Sequence, residues 1–380
     1  MGDMSANQET SEFPFEILDS GLIYRNPKPF LRSIQAYFPS VVSLGDGELV
    51  ASIVLGEAFE ALNSRVYLTR SLDWGKTWQL EGRITKLAGS APFSEYGRIT
   101  ALNKRELVAW IFRHTRVDPE MGLTNPENMG FVETHMLIYR SADLGRHWTG
   151  PQVLTPPLEG PAFEICSPII PLSDGRWLAP TSTWRGWNGE CPNGMKALCL
   201  ISDDRGETWP DYFNVMDGSY QDIIFWEQKT IELEDGRLIS VAWTYDEQQD
   251  ADLENHYALS QDGRTFSAPA ATGLQGQTPA ISYLGGDRLL VVYRRTDRPG
   301  LWANIASLDG DRWSNLSEIC LWGPSRVQNT AQKSTMVEAF HQLRFGAPCI
   351  TALGNGELLI AFWCVEDCVA NIRYIRLGEI

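Results

Sequence analysis

Short apolar runs separated by tight polar turns recur along the whole chain, and no strong helix signal interrupts them. Six segments share one pattern of apolar strand, turn and second apolar strand. They are 39–54 around Asp46-Gly47, 99–112 around Asn103-Lys104, 168–181 around Asp174-Gly175, 230–243 around Asp235-Gly236, 280–293 around Gly286-Asp287 and 347–363 around Asn355-Gly356. Asp-Gly and Asn-Gly between apolar runs are the best short-range hairpin signal, because these residues accept the positive φ that tight turns need. A leucine precedes each turn: Leu44, Leu102, Leu172, Leu233, Leu284 and Leu353.

Each of the first five hairpins leads into a third strand, as at 65–70, 135–140 and 197–201. A second repeat then follows. Ser71-Leu72-Asp73-Trp74-Gly75-Lys76-Thr77-Trp78, Ser141-Ala142-Asp143-Leu144-Gly145-Arg146-His147-Trp148 and Ser202-Asp203-Asp204-Arg205-Gly206-Glu207-Thr208-Trp209 all read S-x-D-x-G-x-x-W. Eroded copies begin at Ser260 and Ser307, each one residue short. A fourth strand after each turn gives four strands repeated six times, which describes an all-β, six-bladed β-propeller with four antiparallel strands per blade. Segment 371–377 is the third strand of the last blade, and the N-terminal segment 15–24 is expected to close the ring as its fourth. The reading is a polar, disordered tail over 1–12 and a single domain over 13–380.

Composition narrows the chemistry. A formal net charge of −16 argues against a nucleic-acid backbone or an anionic membrane surface as partner, and leaves room for a small anionic substrate. Cys166, Cys191, Cys199, Cys320, Cys349, Cys364 and Cys368 show no zinc-ligand spacing, and most sit in apolar runs as structural thiols. The five histidines lack a metal-binding pattern. Neither metal nor organic cofactor is expected. With no basic start or apolar leader before residue 13, a cytoplasmic setting is expected.

The turn motifs and the six hairpins together resemble the Asp-box (BNR-repeat) propellers of the sialidase superfamily. The resemblance spans nearly the whole chain. It implies that Asp73, Asp143 and Asp204 are turn formers rather than catalysts. It also matches the segment from Trp226 to Leu238 to one in which a glutamate opens an inner strand and assists a tyrosine nucleophile; Glu227 falls on that glutamate. Other positions depart from the family. Tyr37-Phe38-Pro39 stands where an Arg-Ile-Pro motif would hold the sialic-acid carboxylate, and Trp243 stands where another arginine is expected. Phe345-Gly346-Ala347-Pro348 lacks the nucleophilic tyrosine.

Topology places inner-strand starts and second-to-third loops on one face, where the long loops 56–64, 113–134, 185–196, 245–255 and 294–300 gather. Carboxylates, arginines and aromatic rings cluster there, a mixture suited to an anionic sugar. Glu227 is assigned as base or nucleophile and Glu164 or Glu57 as acid, with Tyr37 replacing the lost arginine as a hydrogen-bonding or nucleophilic group. Arg98, Arg185, Arg344, Arg294, Trp226, Trp187 and His114 are the substrate-binding candidates, and His341 lies beside them in sequence. The leading expectation is a glycoside hydrolase acting on an anionic glycoside. Its rivals are a lyase with His114 or Tyr37 as base, and a non-catalytic propeller that binds glycans or proteins.

Overall fold

The computed structural model describes residues 12–85, 92–116, 118, 120–160, 162–165, 167–323 and 343–380, and every regular element in them is a β-strand. Cys166, His341 and residues 1–11 of the expected tail lie outside the described residues. The arrangement is all-β and propeller-like. Strand β1 (Phe15–Tyr24) completes the sheet of the C-terminal strands β23 (Phe345–Ala352), β24 (Leu358–Glu366) and β25 (Val369–Glu379), pairing antiparallel from Phe15↔Glu379 onward. The chain ends are thus hydrogen-bonded to each other.

Between them, β2 (Gln35–Gly45), β3 (Glu48–Gly56), β4 (Arg65–Ser71) and β5 (Gln79–Arg83) form one sheet, and β6 (Phe93–Ala101), β7 (Leu107–Thr115), β8 (Thr134–Ser141) and β9 (Thr149–Leu154) the next. A third holds β10 (Ala162–Ile165), β11 (Ile170–Pro171), β12 (Trp177–Trp184), β13 (Ala197–Ser202) and β14 (Asp211–Met216). The remaining sheet has eight strands. It contains β15 (Ile223–Glu232), β16 (Leu238–Asp246), β17 (Ala251–Asp252), β18 (Glu254–Ser260), β19 (Ala270–Gly285), β20 (Arg288–Arg295), β21 (Leu301–Asp309) and β22 (Arg312–Trp322). Among the described residues, five sheets therefore stand where six separate ones were expected, because β19 is continuous: it pairs β18 from Ala270 to Gln275 and β20 from Gly276 to Gly285.

Second strands such as β12 and β16 are buried along their whole length, whereas β5 is almost wholly exposed. A strand covered on both faces reads as a continuous apolar run, which is why the hairpins were visible in the sequence. The leucine before the turn has a packing role. Leu172, Leu233 and Leu353 are buried, and each accepts the turn glycine's N–H on its carbonyl while its own N–H donates to the residue after that glycine.

The inner strands β2, β6, β10, β15, β19 and β23 contact one another in a closed circuit. Hydroxyls staple them: Ser40 Oγ bridges the Ile99 backbone at 3.2 Å, Thr100 donates to Ile169 O at 2.6 Å, Ser167 to Gln228 O at 2.8 Å and Thr351 to Val41 O at 2.8 Å. Each Asp box closes on itself. Ser71 Oγ accepts from Gly75 N at 2.8 Å, and Asp73 accepts from Thr77 N at 2.8 Å and Thr77 Oγ1 at 2.6 Å. The bonds recur around Asp143 and Asp204, whose carboxyls they hold below the usual range. The copy at Ser307 is a plain hairpin instead, with Asp309 paired to Arg312 and Ser307 bound to Asp287. Asp73→Ala is expected to cost about 1.5–3 kcal/mol, the range for hydrogen bonds to a charged group, with turnover unchanged. A shift of the urea midpoint at constant kcat checks this.

Candidate functional site

Three mid-strand prolines and one glutamate build the central site. Proline donates no ladder hydrogen bond, so inside a strand it marks an irregularity. The pairing slips at Tyr37/Ser40 in β2, at Gln277/Ala280 in β19 and at Gly346/Cys349 in β23, around Pro39, Pro279 and Pro348. The residue before each proline is left-handed: Phe38 at φ 52°, Thr278 at 50° and Ala347 at 47°. β15 slips the same way between Trp226 and Lys229, with Glu227 at φ 47°. Here Gln228 stands in place of proline. It is fully buried, and its amide donates to Thr181 O at 2.8 Å and Leu198 O at 2.6 Å while accepting from Ser240 Oγ. A non-glycine residue in this conformation costs on the order of 1–3 kcal/mol and persists only where its surroundings impose it. All four left-handed residues line one cavity with about 170 Å³ of room for water-sized molecules.

Its wall is mostly aromatic. Trp184 and Trp226 stack at 4.9 Å and 7°, and Trp243 follows at 4.2 Å from Trp226. Phe38, Phe59 and Trp363 form the opposite side, with Phe38 and Phe59 at 5.3 Å and Phe59 and Trp363 at 5.5 Å.

The charged lining is Glu60, Arg98, Glu164, Glu227, Lys229 and Arg294. Glu227 N donates to Glu164 Oε2 at 3.2 Å, so the left-handed turn brings the two acids side by side. Glu227 Oε2 is buried with no hydrogen-bond partner among the described residues. Burial, and after it the Glu227 carboxylate, raise the Glu164 carboxyl to about 7. Lys229 Nζ reaches Glu227 O at 3.4 Å. Arg98 is buried, donates to Pro39 O at 3.1 Å and lies 5.8 Å from the Phe38 ring centre. Arg294 is buried and held by Gln277 Oε1, at 2.6 and 2.9 Å, and by Phe345 O at 2.7 Å. A Cβ on Gly346 would come within 2.4 Å of Arg294 Nη1, so this arginine occupies the space of any side chain there. His114 completes the wall, with its pKa lowered to about 3 by burial and then by Arg116.

Thus Glu164, Glu227, Arg98, Arg294, Trp226 and His114 converge, and the other sequence candidates lie outside the cavity lining. Tyr37 is buried among Phe59, Trp363 and Phe38, and burial pushes its phenol up to about 12. The slip in β2 sends Phe38 to the cavity and Tyr37 into the core. Glu57 is exposed, and Glu60, three residues along the same loop, lines the cavity in its stead. Arg185 pairs with Glu247 at 2.7 Å, Arg344 is exposed, and Trp187 is half-buried with its carbonyl accepting from Asn125. Phe38, Phe59, Glu60, Lys229, Thr278 and Trp363 were not singled out from the sequence. The prolines at 39, 279 and 348 were the available signal for three of the bends. Among the described residues, no group of three or more His, Cys, Asp or Glu is placed to hold a metal ion.

Residues 115–329 match the model of the BNR repeat-like domain. No curated protein matches the sequence significantly. Solved structures do match in shape. A protein of unknown function from Dyadobacter fermentans superposes with a TM-score of 0.72 at 22% identity, over 97% of this chain and 100% of that one. The intramolecular trans-sialidase of Ruminococcus gnavus, in complex with oseltamivir carboxylate, gives 0.64 at 13% identity over 94% and 96%. Trypanosoma rangeli sialidase, in complex with the inhibitor DANA, gives 0.59 at 14% identity, over 90% of this chain and 55% of that one. At these identities the likeness concerns the fold. With the family match covering more than half of the chain, this protein belongs to the BNR repeat-like family.

Proposed function

We propose that this protein is a carbohydrate-active enzyme that hydrolyses a glycosidic bond in the central cavity. Glu164 is the acid that protonates the leaving oxygen, and Glu227 attacks the sugar or activates water. The observation that carries this reading is the adjacent acid pair: Glu164 accepts from Glu227 N, its carboxyl is raised by burial and by Glu227, and Glu227 Oε2 is buried with no described residue satisfying it. Two carboxyl groups in unlike environments are what glycoside hydrolysis requires. The aromatic lining suits a pyranose ring, and Lys229 and Arg98 favour a ligand bearing negative charge. The closed circuit of inner strands and the two-part pairing of β19 support a six-bladed ring, formed by residues 13–380 as one domain.

The non-catalytic rival also has support. Neither Tyr37 nor the 345–348 segment supplies a nucleophile to the cavity, and Arg294 is already bound by Gln277 and Phe345 O. The lyase reading loses Tyr37 as a base for the same positional reason. Product analysis on a panel of sialosides, uronides and neutral glycosides separates these readings. A saturated product supports hydrolysis, and retention of a glycan without turnover supports the binding propeller.

The acid role predicts a pH profile. Glu164 must hold its proton to act, so turnover is expected to fall as pH rises through about 7. Glu164→Gln should lower kcat and remove that limb, leaving the remaining rate flat across it. An alkaline limb that persists in Glu164→Gln would assign the titration to another group.

A further inference from the structure

The hydrogen bonds behind His114 fix what its ring offers to the cavity. The imidazole is buried between Tyr96 and Phe131, at ring distances of 5.4 and 5.2 Å. Its Nδ1 lies 3.0 Å from Thr134 Oγ1, and Thr134 Oγ1 donates to Val132 O at 3.1 Å. A hydroxyl has one proton to give. With that proton on Val132 O, Thr134 Oγ1 must accept from His114, so the ring proton sits on Nδ1 and both hydrogen bonds form. In the other tautomer the hydroxyl would turn to Nδ1 and the bond to Val132 O would be lost. The tautomer that satisfies the whole chain therefore leaves Nε2 as a lone pair, and no described residue hydrogen-bonds it. Tyr96 and Phe131 flank the ring, and Arg116 is a charged neighbour whose guanidinium donates to Glu60 O and Met121 O.

We propose that His114 is a specificity-determining residue whose Nε2 accepts a hydrogen bond from a hydroxyl or amide N–H of the ligand, with Thr134 as the positioning residue that locks the tautomer. The proposal rests on the reading of the cavity as the glycan site and adds a demand to it. The ligand group at His114 is a hydrogen-bond donor.

The test is long-range proton–nitrogen NMR on the full chain with labelled histidine, His114→Gln serving to identify the resonance. Near neutral pH, His114 is expected to show a protonated Nδ1 and an unprotonated Nε2, and Thr134→Val to mix the two tautomers. Titration with methyl glycosides and N-acetylneuraminic acid should then move the Nε2 signal for each sugar that binds. A deoxy analogue lacking the contacting donor should bind wild type at least tenfold more weakly than its parent. Against His114→Phe, or His114→Asn should that variant fail to fold, parent and analogue should bind alike. A protonated Nε2 in wild type overturns the proposal. A sugar that binds and is cleaved without moving Nε2 overturns it alone, while a panel with no binding member overturns it together with the glycan reading.

Discussion

Glu227→Gln is expected to reduce kcat by at least about a hundredfold on any glycoside the wild type cleaves, since acid–base groups contribute about 10²–10⁴. The fold should survive and the melting temperature should stay level or rise. Glutamine keeps the shape of the side chain. It also replaces a carboxylate whose buried Oε2 lacks a hydrogen-bond partner among the described residues, an arrangement that folding tolerates rather than favours. The backbone bond from residue 227 to Glu164 Oε2 does not depend on the side chain. Turnover and thermal melting measured on one preparation decide the matter. Undiminished turnover would remove Glu227 from the chemistry, and loss of turnover with loss of fold would recast it as a structural residue.

Trp363→Ala should carry the largest cost in stability. Trp363 is 2% exposed on β24, touches the edge of Tyr37 at 5.3 Å and closes the cavity beside Phe59. Truncating a buried tryptophan removes its transfer free energy and leaves a void, together about 3–5 kcal/mol. The neighbours are whole strands held in ladders, so the void cannot collapse. Denaturant unfolding should show a lower midpoint with little change in slope, and Trp363→Phe should recover much of the loss. A cost below about 1 kcal/mol would mean that the sheets around Tyr37 close over the gap, contrary to the close packing of protein interiors. The same variant should weaken glycan binding by widening the aromatic wall.

The features legible in the sequence are those governed by residues near one another in the chain. An Asp box is a circuit of hydrogen bonds within eight residues, so Ser71, Asp73, Gly75 and Thr77 announce the turn wherever it lies. The Asp-Gly hairpins are equally local, as is the burial of both faces that makes β3 and β16 continuously apolar. The segment 15–24 was expected to complete the last sheet because that sheet was one strand short. The continuity of β19 was not legible, since pairing to β18 and to β20 is set by neighbours on either side rather than by the sixteen residues of the strand. Of the candidates read from the sequence, Glu227, Glu164, Arg98, Arg294, Trp226 and His114 line one cavity. Tyr37, Glu57, Arg185, Arg344 and Trp187 lie outside that lining; for Tyr37 the reason is the slip in β2, which a period-two strand reading has no means of locating.

By itself, then, the sequence determined the repeat, the turn chemistry, the all-β class and the family, because each rests on bonds and burial patterns a few residues long. The tertiary structure decided which side chains face the cavity. A single left-handed residue reverses the side-chain order of a strand, and at Phe38, Glu227, Thr278 and Ala347 that conformation is imposed by the neighbouring strands. In β15 the clamp is visible: Gln228, fully buried, donates to Thr181 O and Leu198 O and accepts from Ser240 Oγ, and so turns Glu227 towards Glu164.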